Sequence, residues 1–477
     1  MILKKTVLLF VVFVLMIANN LFAQHQEISD KPEMYKGKQL QTEDSISVLS
    51  AFKRGQFNGH FRYFFMGTQN KKELTNYYAN AAGGGIRYET AIFHGFQFAV
   101  SGFFIFNLGS SDFTKADSAT GQYNRYEIGL FDLQDSVNKK NIDRLEEFYL
   151  KYNYKKSKLV FGRQIINTPF INLQDGRMRP TNVEGIWIEM NELKNIKLEA
   201  GWLYAISPRS TTKWFGIDES MGVYPAGVNS DGSKSQYFGN LKSKGVFILG
   251  SHYQLTKNIK LQGWNFLVDN IFNTAMLQTD FLFPLKNNSN FFASAQLIKQ
   301  DAINDGGNAT ITKSYMEKAA KSIAFGARAG WKNKRLETSI NYNRITKQGR
   351  YLMPREWGRD PFFTFLPRER NEGFGDVHAM VAKVNYKLPK LHVNTSLAAG
   401  YFKLPDVKNY QLNKYGLPSY YQLNADFRYS FTGVLNGLEA QLLVVGKINN
   451  GELYNNKRYE FNKVNMMQYN FVLNFYF

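Results

Sequence analysis

The final nine residues, Tyr469, Asn470, Phe471, Val472, Leu473, Asn474, Phe475, Tyr476 and Phe477, alternate without a break and stop on an aromatic. Strand side chains alternate with period two, so Tyr469, Phe471, Leu473, Phe475 and Phe477 share one face and Asn470, Val472, Asn474 and Tyr476 the other. The first face is suited to hydrocarbon. A buried terminal strand of a soluble sandwich would satisfy the same pattern. A strand that ends on an aromatic with no capping residue beyond it points instead to the closing strand of a membrane barrel.

The other end of the chain agrees. Lys4 and Lys5 precede an apolar run over residues 7–17, and Leu21, Phe22 and Ala23 precede Gln24. This is the layout of an export signal over residues 1–23, with the cut placed within a residue or two because Leu21 is larger than the usual small residue. The run is shorter than the roughly 20 residues a helix needs to span a bilayer, so removal is expected rather than anchoring. No Cys follows the cut, which excludes lipoprotein processing. Residues 24–56 are then expected to form a polar N-terminal periplasmic extension, too small to be a plug domain.

Aromatics make up 16% of the 477 residues, with 40 Phe and 28 Tyr, yet mean hydropathy is only -0.36. No apolar stretch after the signal reaches spanning length as a helix. An exported, aromatic-rich chain of this kind suits alternating strands with one face toward lipid and the other toward water. The sequence has no Cys, so closure of the sheet and not disulfides must hold the fold. Lys and Arg number 59 against 39 Asp and Glu; without Lys4 and Lys5 the balance is 57 minus 39, or +18. An export signal argues against a nucleic-acid partner for this charge. Lining a pore, it would favour anions.

Period-two segments recur from Phe57 onward. Phe57, Gly59, Phe61, Tyr63 and Phe65 oppose Asn58, His60, Arg62 and Phe64; Ile86, Tyr88, Thr90 and Ile92 oppose Gly85, Arg87 and Glu89. Phe96, Phe98, Val100, Gly102, Phe104 and Phe106 then oppose Gln97, Ala99, Ser101, Phe103, Ile105 and Asn107. Further segments begin near Arg144, Lys158, Val183, Ile196, Gly245, Ile259, Asn273, Asn290, Ala320, Leu336, Phe374, Leu391, Tyr420, Leu438 and Val464. The expected fold is therefore all-β: a single transmembrane antiparallel β-barrel of about 18 strands over 57–477. Short links alternate with long ones over 109–143, 205–244, 347–373 and 403–419, which places short turns in the periplasm and long loops outside. The link over 269–272 is too short for its side, which puts a neighbouring strand boundary in question. No repeat of fixed period is present.

Between the strand ending Gly162-Arg163-Gln164 and the return at Glu184-Gly185 lies an irregular stretch carrying Pro169 and Asp175-Gly176-Arg177-Met178-Arg179-Pro180. Folded inward near 165–182, it would set the narrowest point of a lumen. A second stretch reads Pro354-Arg355-Glu356-Trp357-Gly358-Arg359-Asp360-Pro361-Phe362-Phe363-Thr364 and ends in Arg368-Glu369-Arg370. On these motifs the chain resembles the OprD-type porins, substrate-selective 18-stranded barrels. The resemblance implies passage of small carboxylates, basic amino acids, peptides or oligosaccharides past lumen arginines. It makes Arg163, Asp175, Arg177, Arg179, Arg355 and Arg359 candidates for the substrate path. Arg328 and Arg428 join them as wall residues, each opposing an apolar face. Arg guanidinium stays charged and presents a planar fork to carboxylates.

Bland roles stand beside these: Arg368 and Arg370 as loop salt bridges to Glu369, Arg163 as a strand-end residue, Asp175 as a partner of Arg177. Six His residues show no metal-ligand spacing, no nucleophile elbow or phosphate loop occurs, and no cofactor is implied. The sequence thus predicts a passive porin of a Gram-negative outer membrane. Its partners would be small hydrophilic, preferentially anionic solutes, membrane lipid, and the barrel-assembly machinery through the strand ending at Phe477. A barrel enzyme and a structural or adhesion barrel with a blocked lumen are the alternatives.

Overall fold

The computed structural model describes residues 44–138, 142–173 and 177–477. The export signal and most of the N-terminal extension lie outside these residues. Strands β1 (Gln56–Gln69), β2 (Tyr77–Glu89), β3 (Phe96–Ser110), β4 (Ile142–Tyr154), β5 (Ser157–Gln164), β6 (Asn182–Met190) and β7 (Ile196–Ser207) form the first part of the wall. A two-residue strand, β8 (Phe215–Gly216), sits in the loop that follows. The wall continues through β9 (Val246–Thr256), β10 (Ile259–Val268), β11 (Phe272–Pro284), β12 (Asn290–Ala302), β13 (Lys321–Lys332) and β14 (Leu336–Ile345). It is completed by β15 (Val377–Leu388), β16 (Val393–Lys403), β17 (Tyr420–Ser430), β18 (Leu438–Asn449) and β19 (Met466–Tyr476).

All strands belong to one 19-stranded sheet among the described residues; leaving out β8 gives 18 that run along the wall. Each wall strand pairs antiparallel with the next, and β19 returns to β1 with His60 opposite Tyr476 and Gln69 opposite Met467. The sheet therefore has no free edge among the described residues, so each wall strand has a hydrogen-bonding neighbour on both sides. Alternation sorts the side chains. On β19, Tyr469 and Phe471 are exposed on the outer face, while Asn470, Val472 and Asn474 are buried inside. Phe96, Phe104 and Phe106 of β3 face outward, and Gln97, Ala99, Ser101 and Phe103 face inward and are buried.

Two expectations need correction. β2 begins at Tyr77, earlier than the segment read from Gly85, because Ala79, Ala81, Gly83 and Gly85 show no large side chain to alternate. The small residues make room for the Phe103 ring: a Cβ on Gly83 would lie 2.4 Å from it and one on Gly85 2.6 Å. The short link after β10 is real, and no boundary is wrong. Ile271 N donates to Val268 O at 3.0 Å in a tight turn, and the neighbouring long loops fold over it, with Ile303 N donating to Ile271 O at 2.9 Å and Asn270 Nδ2 to Lys242 O at 3.0 Å. Ahead of β1, within the stretch expected as a polar extension, lies a short helix, α1 (Val48–Lys53), capped by Ser47, whose Oγ accepts from Ser50 N at 3.1 Å.

Candidate functional site

The loops after β5 and β14 meet inside the barrel. Residues 351–366 are all buried, and Ile166, Phe170 and Ile171 join Trp357, Phe362 and Leu366 in one apolar cluster with Trp187, Trp264 and Phe266 from the wall. Phe170 packs edge-on to Phe266 at 4.9 Å. A loop this apolar gains more from an inward wall than from water. Its backbone polar groups then need partners, and inward amides and ammoniums of the wall supply them. Gln300 exchanges two bonds with Leu352, and Gln296 and Gln422 donate to the carbonyls of Pro361 and Pro367 at 3.2 and 2.8 Å. Lys383 Nζ takes Phe363 O at 2.9 Å and Lys447 Nζ takes Arg368 O at 2.5 Å.

Asn172 ties the two loops together. Its Nδ2 donates to Arg359 O at 3.0 Å, its Oδ1 accepts from Arg359 N at 3.1 Å, and its own N–H reaches Trp357 O at 3.2 Å. Thr181 Oγ1 donates to Glu356 O at 2.7 Å beside this clasp. Gly358 fits because a Cβ there would come 2.7 Å from Asn172 Oδ1.

Arg179 is buried against the wall. It forms a two-pronged pair with Glu146, with Nε to Oε1 at 2.7 Å, and its guanidinium lies 4.1 Å from the Phe103 ring centre. Arg144 holds the same carboxylate at 2.9 Å and takes Pro180 O at 2.6 Å. Arg179 Nη1 donates to His60 Nδ1 at 3.2 Å, which leaves His60 Nε2 to donate to Asn474 Oδ1 at 3.1 Å. Arg62 donates to the same Asn474 oxygen at 2.7 Å and to Arg177 O at 2.5 Å. Arg177 sits at φ 52, where this grip on its carbonyl turns the chain toward the wall.

Arg355 is buried over the Tyr415 ring at 4.4 Å, donates to Pro225 O at 2.7 Å and stands 3.7 Å from Glu372. Arg359 is buried with its guanidinium 5.0 Å from the Phe365 ring. Arg368 donates to Asn470 Oδ1 at 2.7 Å and to Gln468 Oε1, so it anchors its loop to β19. Arg163 pairs with Glu184 at 3.0 Å, Arg328 reaches Ser294 at 2.9 Å and Asp280 at 3.4 Å, and Arg428 pairs with Asp426 at 2.9 Å. Arg328 and Arg428 lie in the halves of β13 and β17 nearer the short turns, and the Arg328 guanidinium is 4.9 Å from the Phe363 ring of the second loop. Asp175 lies outside the described residues.

Several neighbours of this site were not singled out from sequence. Arg62 and His60 sit on the inward face of β1 and were readable by the alternation that marked Arg328. Glu146 was not: Ser101 pairs Glu147 and Gly102 pairs Leu145, so Glu146 is the extra residue of a β-bulge and turns inward beside Glu147. Asn172, Lys414, Lys447 and Arg209, whose N–H donates to Thr181 Oγ1 at 3.1 Å and whose Nε donates to Tyr224 Oη at 2.9 Å, carry no local pattern that marks them.

Burial also changes the loop's charge. It pushes the Asp360 carboxyl up to about 7 and the Glu369 carboxyl up to about 8, with Asp360 adding to the latter. Glu372 is raised by burial against the opposing pull of Lys414 and Arg355, and burial lowers the Lys414 ammonium to about 8. The guanidiniums keep their charge. At neutral pH the guanidiniums of the joined loops stay charged while Asp360 and Glu369 carry less than their full negative charge.

Residues 55–346 match the family described as outer membrane porin, OprD family. Among solved structures, the fold superposes on Pseudomonas aeruginosa OccK9 (OpdG) with TM-score 0.70 and 13% identity, covering 89% of this chain and 99% of that one. Acinetobacter baumannii OccAB2 gives TM-score 0.68 and 14% identity over 90% and 99%. Pseudomonas aeruginosa OpdK, solved with vanillate, gives 0.66 and 13% over 89% and 99%. We found no curated sequence relative of significant similarity. The family match spans more than half of the sequence, and with the closed barrel and its inward loops it shows that this chain belongs to the OprD family of substrate-selective porins in the Gram-negative outer membrane.

Proposed function

We propose that the barrel passes small hydrophilic solutes bearing a carboxylate or other anionic group, selected at the joined loops. One observation carries this reading: Arg355, Arg359 and Arg368 are gathered on one inward loop with Arg177 on the other, and burial pushes the neighbouring Asp360 and Glu369 carboxyls up so that they offset less of that charge. The region around Arg355, Arg359, Arg368 and Arg177 then attracts anions in a low-dielectric passage. Most of these guanidiniums already have protein acceptors, so a solute carboxylate exchanges with carbonyls and amides and does not fill an empty site. Each such step is weak enough for release, which passage requires. Arg328 and Arg428, each beside an Asp, extend the path toward the short-turn end. Residues 1–23 act as a cleaved export signal, and the strand ending at Phe477 is the segment the assembly machinery reads.

The reversal potential of the purified protein in a planar bilayer under a salt gradient tests the reading. Anion selectivity is expected, and cation selectivity overturns it. The burial of all of residues 351–366 favours one other reading, a lumen closed by that loop. Absence of any ion current would support closure.

A further inference from the structure

Helix α1 lies on the outside of the barrel at its short-turn end. Ala51 is buried against the wall, with Ala51 O accepting from Ala91 N at 3.0 Å, and Ser45 N donates to Ile92 O at 2.8 Å. Asp44 Oδ1 accepts from His94 N at 2.8 Å, and Tyr88 Oη donates to Phe52 O. Gly55 brings the helix end close, since a Cβ there would lie 2.4 Å from Tyr88 Oη. The Phe52 ring stacks on Tyr88 at 6.3 Å and leans on Phe98 at 6.4 Å. Tyr88 and Phe98 are outward-facing on β2 and β3, so the helix is docked on the lipid-facing surface of the porin.

What the helix then shows to its surroundings is apolar. Ile46 is 94% exposed, Val48 55%, Leu49 64% and Phe52 47%, four large hydrophobics within seven residues. This patch is continuous with the outward belt of the barrel, where Phe57, Ile86 and Phe96 are also exposed at the same end. That belt is an established lipid interface in an outer-membrane porin. Lys53, in the last turn of α1, and Lys155 and Lys156, in the turn between β4 and β5, are exposed at this rim, the level of lipid headgroups. Apolar residues on one side and basic residues at the rim are the arrangement of a helix lying in a membrane interface.

We infer that residues 46–54 form a membrane foot: Ile46, Val48, Leu49 and Phe52 enter the acyl boundary of the inner leaflet while Lys53 stays among its phosphates. The barrel would thereby be fixed in depth and rotation by an element outside its own wall.

The absence of Cys allows a single reporter. Leu49→Cys and, as a loop control, Lys347→Cys in the full protein are labelled with an environment-sensitive thiol probe. Both are reconstituted in phosphatidylcholine–phosphatidylglycerol vesicles with a nitroxide on the upper acyl chain, and folding is checked by heat-modifiable gel migration. The label at 49 should be blue-shifted, lose most of its emission to the nitroxide and resist aqueous iodide, whereas the label at 347 should do the reverse. Iodide quenching of position 49 equal to that of position 347 overturns the inference. Protection that is independent of the nitroxide also overturns it: if protection vanishes on dilution of the protein, a second copy covers the helix, and if it vanishes on deletion of residues 24–43, the chain's own extension does.

Discussion

Asn172 grips both main-chain groups of Arg359, donating to its carbonyl at 3.0 Å and accepting from its amide at 3.1 Å across 187 positions of sequence. The bond pair sets the distance between the two inward loops. Side chains with both functions in one planar amide can do this; Asp would lose the donor and Leu both groups.

Replacing Asn172 with Ala leaves a buried carbonyl and a buried N–H of Arg359 without these partners, at about 1–3 kcal/mol for each unsatisfied group. The wall does not depend on them. Asn172→Ala should keep heat-modifiable barrel migration while single-channel recordings show larger or noisier conductance and weaker selectivity.

The loop's titration should be visible in permeation. As pH rises from 6 to 9, Asp360 at about 7 and Glu369 at about 8 gain negative charge while Lys414 at about 8 loses positive charge. All three changes lower the net positive charge, so the reversal potential should drift away from anion preference over this range. A drift in the opposite direction would remove these groups from the path.

The same groups act in sequence on loop packing. Glu369 moves from the usual 4.5 to about 8, so the folded loop binds the proton more tightly and packing weakens as pH rises between these values. Lys414 moves from 10.5 to about 8, so the folded loop binds its proton less tightly and packing strengthens from about 8 toward 10.5. Hydrogen exchange of amides over 351–372 should therefore be fastest near pH 8 after correction for the intrinsic rate.

Glu146 serves two guanidiniums, whereas Arg179 and Arg144 share one carboxylate. Glu146→Ala should destabilise the barrel by about 3–5 kcal/mol, because it strips a buried pair of its counter-charge. Arg179→Ala should cost less, since Arg144 still faces Glu146. Urea unfolding in detergent followed by tryptophan emission orders the two.

At the seam, Gly59 N donates to Phe477 O at 2.7 Å and Phe477 N to Gly59 O at 3.1 Å, and a Cβ on Gly59 would lie 2.1 Å from the Phe477 ring. Gly59→Val must displace that ring from the closing pair. The fraction of heat-modifiable barrel in outer-membrane extracts should fall, and Phe477→Ala should lower it through loss of the ring itself.

The sequence by itself determined the wall. Apart from β2, whose small residues hid its first eight positions, strand starts fall within a few residues of those read from alternation, and Tyr469 and Phe471 face outward with Asn470 and Asn474 inside, because period two is a local property of an extended backbone. The sequence also marked Arg328 and Arg428 as inward, by the same rule. Only the tertiary structure decided what the arginines touch: Arg179 with Glu146, Arg355 with Tyr415, Arg368 with the β19 amides. Irregular loops have no period to read, a bulge at Glu146 shifts one side chain without altering the pattern, and the Asn172–Arg359 clasp exists only once a closed wall brings distant loops into the same interior.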